Sequence, residues 1–161
     1  MFFGKGSEPT YKLELDNSRI DWVDKWVYLG VTLLSGPSFG CCIKETVSKF
    51  YGALNSILRI DGRSDDMVML RLLEAHCIPI LSYAIEVIHV RDRSDRRKLR
   101  VAYNSVYRKM FDYSYNESVT QLQHTLGRPT WEELTEKRKS DFLHKLSQCP
   151  NDSLLRTLQM L

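Results

Sequence analysis

The N-terminal part of the chain alternates apolar and polar residues with the period of a β-strand. YKLEL, at residues 11–15, shows this period, and a second apolar stretch follows at residues 20–23. The run WVYLGVTLL, at residues 26–34, is rich in strand-forming residues. We therefore predict a small antiparallel ribbon of two or three strands, with the run as one of them. Such a ribbon is stable in water only when something covers its apolar face.

Beyond residue 38 the apolar residues recur at intervals of three and four, which is typical of helices. The first predicted helix begins near residue 39, and Gly62 is placed to end it in a left-handed conformation. Ser64 is predicted to begin a second helix as its N-cap, and Pro79 to kink or split it. Residues 80–90 are apolar on almost every side, so we expect them to form the central and most buried helix.

The C-terminal half carries helix-start signals. A third helix is predicted at residues 94–111 and a short last one at residues 154–161. Between them, two helix starts show the spacing of a reciprocal capping box, with Gln or Glu three residues after Ser or Thr. These pairs are Ser118 with Gln121 and Thr130 with Glu133. The intervening LGRP supplies a glycine stop and a proline restart.

Together these patterns predict a mainly α (α+β) fold, an irregular bundle of five to six helices with a small N-terminal antiparallel β-ribbon. We place the ribbon at residues 1–36 and the helical domain at residues 37–161. With 43% hydrophobic and 27% charged residues, the composition excludes a disordered chain. The longest apolar tract, residues 77–88, is too short to span a membrane, and no secretory signal is present. We therefore expect an intracellular protein without membrane contact, and the sequence does not distinguish nucleus from cytoplasm.

Positive charge is concentrated in the third predicted helix. The chain has 23 basic and 20 acidic residues, yet residues 91–109 hold eight basic and two acidic ones. A helical projection places Leu99, Ala102, Tyr103, Val106 and Met110 on one arc, and Arg96, Arg97, Arg100, Asn104 and Arg108 on another. The planar guanidinium binds phosphate oxygens in pairs, so this row suits a nucleic-acid backbone. The alternative is a solvated face that keeps the domain soluble.

The other candidate chemistry has a structural explanation. Asp65 and Asp66 would need a third, facing aspartate to hold catalytic metal ions. Both stand instead at a predicted helix start, where the helix dipole favours acidic side chains. The four cysteines form no CxxC pair, and no histidine has a partner at ligand spacing. We therefore expect no metal, no cofactor and no catalytic residue.

The order of segments resembles one protein family. KWVYLGVTL precedes a helix with KFYGALNSI, then LRLLEAHCIPILSYAIEV, then the basic helix LRVAYNSVYRKMF. Over residues 25–138 this order is similar to the C-terminal part of the reverse transcriptases of non-LTR (LINE-type) retrotransposons. The resemblance implies that the ribbon matches the primer grip of the palm, with Tyr28, Leu29 and Gly30 near the primer end. It also implies that the helices match the thumb, which packs along the template-primer duplex.

The chain lacks one motif of that family before residue 25. The family's catalytic palm carries an aromatic-x-Asp-Asp motif, and none occurs before residue 25. The resemblance thus implies a non-catalytic fragment, not an enzyme, with RNA or DNA as partner. The charge pattern supplies the candidate phosphate contacts, which are Arg93, Arg96, Arg97, Arg100, Arg108 and Lys109. Two alternatives stay open: a helical module that binds another protein or a second copy of itself through the ribbon edge, and a transposon relic with no selected activity.

Overall fold

Short strands come first in the chain and helices follow. The computed structural model describes residues 1, 3–4, 12–37, 39–59, 65–88, 90 and 92–148. In that part the strands are Leu13–Leu15 (β1), Ser18–Ile20 (β2), Lys25–Tyr28 (β3), Val31–Leu34 (β4) and Gly40–Cys41 (β5). The helices there are Lys44–Arg59 (α1), Asp66–His76 (α2), Ile78–Ser82 (α3), Arg93–Met110 (α4), Thr120–Thr125 (α5) and Trp131–Ser147 (α6). The predicted class, mainly α with a small antiparallel β part near the N-terminus, is confirmed.

The strands form two small antiparallel sheets, with the orders β1–β2 and β3–β4–β5. The prediction of one strand through residues 26–34 is wrong, because the chain reverses in the middle of this run. Leu29 and Gly30 have φ of +46° and +76°, the pair of left-handed residues that a two-residue type I′ hairpin turn requires. The strand β5 was too short to show an alternating pattern, and its pairing with β4 delays the start of α1 to Lys44.

The β3–β4 hairpin is held against the helices at both ends. At its turn, the Tyr83 hydroxyl donates a hydrogen bond to the Leu29 carbonyl at 2.8 Å. A Cβ built on Gly30 would lie 3.4 Å from Cε1 of the Tyr83 ring. At the other end, Lys25 Nζ lies 2.6 Å from Glu45 Oε1 at the start of α1. These contacts fix the hairpin while every residue of β3 stays exposed.

The core lies where α1, α2, α3 and α4 meet. Each helix turns one apolar stripe inward, as its three-and-four spacing predicts. Prominent buried side chains are Phe50 and Leu54 of α1, Leu70 and Leu73 of α2, Leu81 of α3, and Leu99, Ala102 and Val106 of α4. Full burial of one large aliphatic or aromatic side chain contributes roughly 1.5–3 kcal/mol. The helix α4 packs against α1, α2, α3 and also α6, which makes it the central helix.

The prediction of a central helix at residues 80–90 is wrong. Cys77 separates α2 from α3, as expected from Pro79, but α3 ends at Ser82. Tyr83 is extended and Ala84 has a φ of +55°, so the chain leaves the helix there. The predicted burial holds only in part, because Ile85 is 5% exposed while Tyr83 and Val87 are 55% and 57% exposed. An apolar run of this length does not by itself distinguish a helix from an irregular segment.

Two of the predicted helix boundaries hold and one does not. Thr130 and Glu133 form the reciprocal capping box at the start of α6, and Gly127, with a φ of +66°, follows α5. Ser118 and Gln121 form no such box, because α5 begins at Thr120 without a side-chain cap. At α2 the N-cap is Asp65, whose carboxylate accepts a hydrogen bond from the Met67 amide. The predicted stop at Gly62, the predicted N-cap Ser64 and the predicted last helix lie outside the described residues.

The hairpin turn yields a stability prediction. The change Gly30→Ala should lower the free energy of unfolding by about 1–2 kcal/mol, since an L-residue pays this much in the left-handed region. The matched control is Gly52→Ala in the middle of α1, where a Cβ meets nothing within 4 Å. Alanine there should raise the free energy of unfolding by about 0.5–1 kcal/mol, because it is the better helix former. Urea unfolding followed by circular dichroism measures both changes, and a Gly30→Ala variant at least as stable as the unchanged protein would contradict the left-handed turn at Gly30.

Candidate nucleic-acid interface

The helix α4 separates an apolar face from a basic face, as the projection predicts. It begins at Arg93 after Asp92, whose carboxylate accepts a hydrogen bond from the Ser94 amide at 2.9 Å. Its inward face is buried and comprises Leu99, Ala102, Tyr103, Val106 and Tyr107. Its outward face exposes Arg93, Arg96, Arg97 and Arg100. The amphipathic design of the helix therefore brings four of the six predicted phosphate contacts onto one exposed surface.

The first cavity on this surface lies between α4 and α6, and we name it the arginine groove. It has a volume of about 730 Å³ and is lined by α4, by α6 and by the irregular segment after α3. Its apolar side chains include Ile85, Leu99 and Trp131. Its basic side chains are Arg93, Arg96, Arg97 and Arg100 from α4 and Lys139 from α6. The lining of the groove therefore combines apolar side chains with five basic ones.

A second cavity, of about 460 Å³, lies farther along α4, and we name it the tyrosine groove. Its lining includes Asn104 and Arg108 of α4 and Tyr115 of the loop after α4. Arg97 and Arg100 line both cavities. These two residues, the arginine ridge, therefore stand between the two grooves and can reach a ligand in either one.

Little negative charge opposes the arginine ridge. Arg100 Nη1 lies 3.7 Å from Glu132 Oε1, and both side chains are more than half exposed. An ion pair so open to water contributes little and leaves the guanidinium available. In the part of the chain that the structure describes, Arg97 forms neither an ion pair nor a hydrogen bond. Among the described residues, the ridge thus carries two guanidinium groups against one solvent-exposed carboxylate, that of Glu132.

The other two predicted residues, Arg108 and Lys109, have different surroundings. Arg108 is half-buried, its Nη2 donates a hydrogen bond to the Glu117 carbonyl at 3.0 Å, and its guanidinium lies 5.7 Å from the Tyr115 ring centroid. Its Nε is buried and has no hydrogen-bond partner among the described residues. Lys109 lines neither groove, because its Nζ donates to Asn55 Oδ1 on α1 at 2.7 Å. Arg108 therefore joins the candidate interface and Lys109 lies apart from it.

Specific contacts hold α6 in the position where it forms a wall of the grooves. The buried Tyr103 hydroxyl donates to the Pro129 carbonyl at 2.8 Å, and the Tyr103 ring packs 5.5 Å from that of Trp131. Burial raises the pKa of Tyr103, so its hydroxyl keeps the proton that it donates. Farther along α6, Arg138 Nη1 donates to the Ser82 carbonyl at 3.1 Å and lies 3.2 Å from Glu86 Oε1. The walls of the arginine groove are therefore joined by directional hydrogen bonds.

Among the groove residues that sequence reasoning did not assign to a site are Trp131, Lys139 and Tyr115. The first two share one face of α6 because they are eight residues apart, with Thr135 between them, and this spacing could have identified them. Tyr115 lies in a loop, where no periodicity marks it. The structure places the primer-grip-like residues Tyr28, Leu29 and Gly30 at the β3–β4 turn, outside the lining of both grooves.

The described residues form neither a metal cluster nor a membrane-spanning helix. Among them no group of three or more His, Cys, Asp and Glu side chains could hold a metal ion. None of the helices in that part of the chain is long and apolar enough to cross a membrane.

Comparison with known proteins bears on the resemblance. The "Probable RNA-directed DNA polymerase from transposon BS" of Drosophila melanogaster is 27% identical to this chain over 143 residues, which are 87% of the chain and 16% of that protein. The chain is related to a transposon RNA-directed DNA polymerase. It spans only 16% of the length of that relative. No protein-family model matches the chain, and no solved structure matches it. This similarity confirms the predicted relation to a transposon RNA-directed DNA polymerase.

The capping box that orients the start of α6 predicts a pH dependence. Hydrogen bonds from the backbone amide and the hydroxyl of Thr130 hold the pKa of Glu133 below its ordinary value of 4.5, and His124 lowers it further. Glu133 therefore contributes stability that is present above its unfolded pKa and is lost as the pH falls through its folded pKa. The change Glu133→Gln should flatten the loss of thermal stability below about pH 4.5, because the amide accepts the same hydrogen bonds without titrating.

The control for this prediction is Glu136→Gln, on the same helix. The structure gives the Glu136 carboxylate no hydrogen bond among the described residues, so this change should leave the pH profile as it is. Melting temperatures measured by circular dichroism across the acid range compare the two variants. Identical profiles for Glu133→Gln and the unchanged protein would contradict the role of the capping box.

Proposed function

We propose that this chain is a non-catalytic fragment of a reverse transcriptase of the non-LTR retrotransposon type, which binds the nucleic-acid backbone through α4. The observation that carries the proposal is the arginine ridge, two exposed guanidinium groups between two open grooves. Among the described residues, only the solvent-exposed Glu132 carboxylate forms an ion pair with them. The similarity to a transposon RNA-directed DNA polymerase supports it, since such a polymerase acts on nucleic acid. The helices correspond to a thumb, and the ligand is the backbone of a template-primer duplex or of RNA.

The physical basis is the match between arginine and phosphate. A guanidinium donates paired hydrogen bonds to phosphate oxygens, and it is weakly hydrated, so little solvation is lost on contact. Arg93, Arg97 and Arg100 follow one another along the exposed side of α4 at intervals of four and three residues, which places them in one row. Backbone contacts of this kind give affinity without base specificity. We therefore infer general binding to a nucleic-acid backbone.

The primer-grip assignment is part of the same proposal. In the parent polymerase, Tyr28, Leu29 and Gly30 would approach the primer end, and the exposed hairpin turn suits such a role. The left-handed Gly30 forms the turn, and the space where its side chain would lie faces the Tyr83 ring. The proposed approach to the primer therefore falls to the backbone of the turn and to the exposed side chains of Tyr28 and Leu29. No catalytic role is assigned to these residues, since a polymerase needs the palm aspartates for its metal ions.

A single charge change tests the backbone contact. The change Arg97→Gln should weaken binding to a fluorescein-labelled duplex and lower the slope of log K against log salt by about 0.9, because one phosphate contact is lost. Fluorescence anisotropy between about 50 and about 200 mM salt measures this slope. Lys137→Gln removes an equal charge from a part of α6 that lines neither groove, and it should leave the slope unchanged.

Two results would contradict the proposal. One is an unchanged protein whose duplex affinity does not depend on salt. The other is an equal effect of Arg97→Gln and Lys137→Gln, which would mean that the arginine ridge acts only through the general surface charge.

The variant Lys109→Gln, tested in the same assay, decides whether this predicted contact belongs to the binding surface.

A second candidate function rests on the exposed edge of the β3–β4–β5 sheet. The strand β3 is at the end of the sheet order, and its side chains Trp26, Val27 and Tyr28 are 58%, 57% and 59% exposed. An apolar edge strand with unpaired backbone groups is a template for another strand. We infer from this edge the alternative of a module that associates with a second copy or another protein by strand addition.

The change Val27→Lys tests this alternative, because charge on an edge strand opposes strand addition. If the edge mediates association, sedimentation velocity should show dimers of the unchanged protein that dissociate in the variant. The control Val68→Lys places the same charge on an exposed position of α2 and should leave the dimer intact. A monomer at every concentration of the unchanged protein would rule out self-association through this edge.

A further inference from the structure

We propose that the tyrosine groove is a site for an unpaired nucleotide, whose base stacks on Tyr115 while its phosphates contact the arginine ridge. The proposal rests on the proposed function, since it assumes that the ridge meets nucleic-acid phosphates. It adds a preference that the ridge alone cannot supply. The groove takes a single strand and not a duplex, because bases that are paired and stacked have no free face to offer.

The first observation is the accessibility of Tyr115. Its side chain is 70% exposed, although tyrosine is a large and partly apolar residue. It lies at the edge of a cavity of about 460 Å³, which is within the range of roughly 300–1,000 Å³ that small organic ligands occupy in proteins. An exposed aromatic ring beside a basic groove is the arrangement that sequence-tolerant binders of single strands use to stack bases.

The second observation is that the Tyr115 ring has a fixed basic neighbour. The Arg108 guanidinium lies 5.7 Å from the ring centroid and is tied by its hydrogen bond to the Glu117 carbonyl. The backbone of this loop is restrained as well, because the Ser114 amide donates to Glu117 Oε2 at 2.7 Å. Tyr115 is therefore presented from an ordered loop, and a base that stacks on it pays little to organise the site.

The third observation is the chemistry of the groove walls. Arg97, Arg100 and Arg108 line the cavity against a single acidic residue, Glu132. Asn104 and Gln123 line it too, and their amides are held together by a hydrogen bond of 3.2 Å. Positive charge suits the phosphates, and amide and hydroxyl groups suit the polar edges of a base or a ribose. The charge and the polar lining exclude an apolar peptide as the occupant.

The test compares three probes by fluorescence anisotropy: a labelled single-stranded RNA, a single-stranded DNA of the same mixed sequence, and the corresponding DNA duplex. The change Tyr115→Ala should weaken both single strands by between about 5-fold and about 150-fold, the range for loss of one base stack, and leave the duplex affinity unchanged. Tyr115→Phe should bind as the unchanged protein does, since its ring also stacks. Tyr113→Ala is the matched control, because Tyr113 lies two residues away and does not line the groove.

The salt dependence separates stacking from an indirect effect through Arg108. If Tyr115 stacks on a base, its removal lowers the affinity for single strands but not the slope of log K against log salt. A lower slope, or an equal loss on the duplex, would mean that Tyr115 only positions Arg108 and would overturn the proposal. An unchanged affinity of Tyr115→Ala for single strands would also overturn the proposed role of the tyrosine groove. The proposed function would still hold in that case if duplex binding depends on Arg97. If neither single strands nor duplex bind the unchanged protein, both proposals fail.

Discussion

The arrangement of the candidate interface depends on how two buried tyrosine hydroxyls of α4 are satisfied. Tyr103 and Tyr107 carry polar groups into the core, where an unpaired hydroxyl would cost roughly 1–3 kcal/mol. The two oxygens lie 3.3 Å apart, and Tyr103 donates to the Pro129 carbonyl just before α6. This last bond can form only when the start of α6 lies against the middle of α4. The need to satisfy Tyr103 therefore sets the separation of the two helices that wall the arginine groove.

The inner and outer faces of α4 thus perform different tasks. Its inner face holds the domain together and leaves the helix no freedom to rotate, and its outer face presents guanidinium groups from a rigid support. The hairpin of β3 and β4 depends less on the core, because it is joined through a few polar contacts such as that of Tyr83 with Leu29. We therefore expect local opening of the hairpin to require less free energy than opening of α4.

The sequence predicted those parts of the structure that local chemistry determines. The spacing of apolar residues identified α1 and α4, the Thr130–Glu133 pair identified the start of α6, and the projection of α4 separated its two faces. It failed where long-range contacts decide the conformation. Leu29 takes a left-handed conformation beside Gly30 in a turn that Tyr83 supports from far along the chain. The apolar segment after Ser82 forms no helix, and of its side chains Ile85 is buried while Tyr83 and Val87 are exposed. The grooves could not be predicted because they exist only after α6 and the loop of Tyr115 fold back onto α4.

The length of the arginine row has a consequence for how a strand would move on it. From Arg93 to Arg100 the helix rises by about 10.5 Å, which matches about three nucleotide steps of roughly 3.4 Å along one strand. A strand lying there would meet one short row of equivalent charges, and a shift by one nucleotide would restore nearly the same contacts. If a strand binds there as proposed, it could therefore change its register while some of its phosphates stay in contact with the protein.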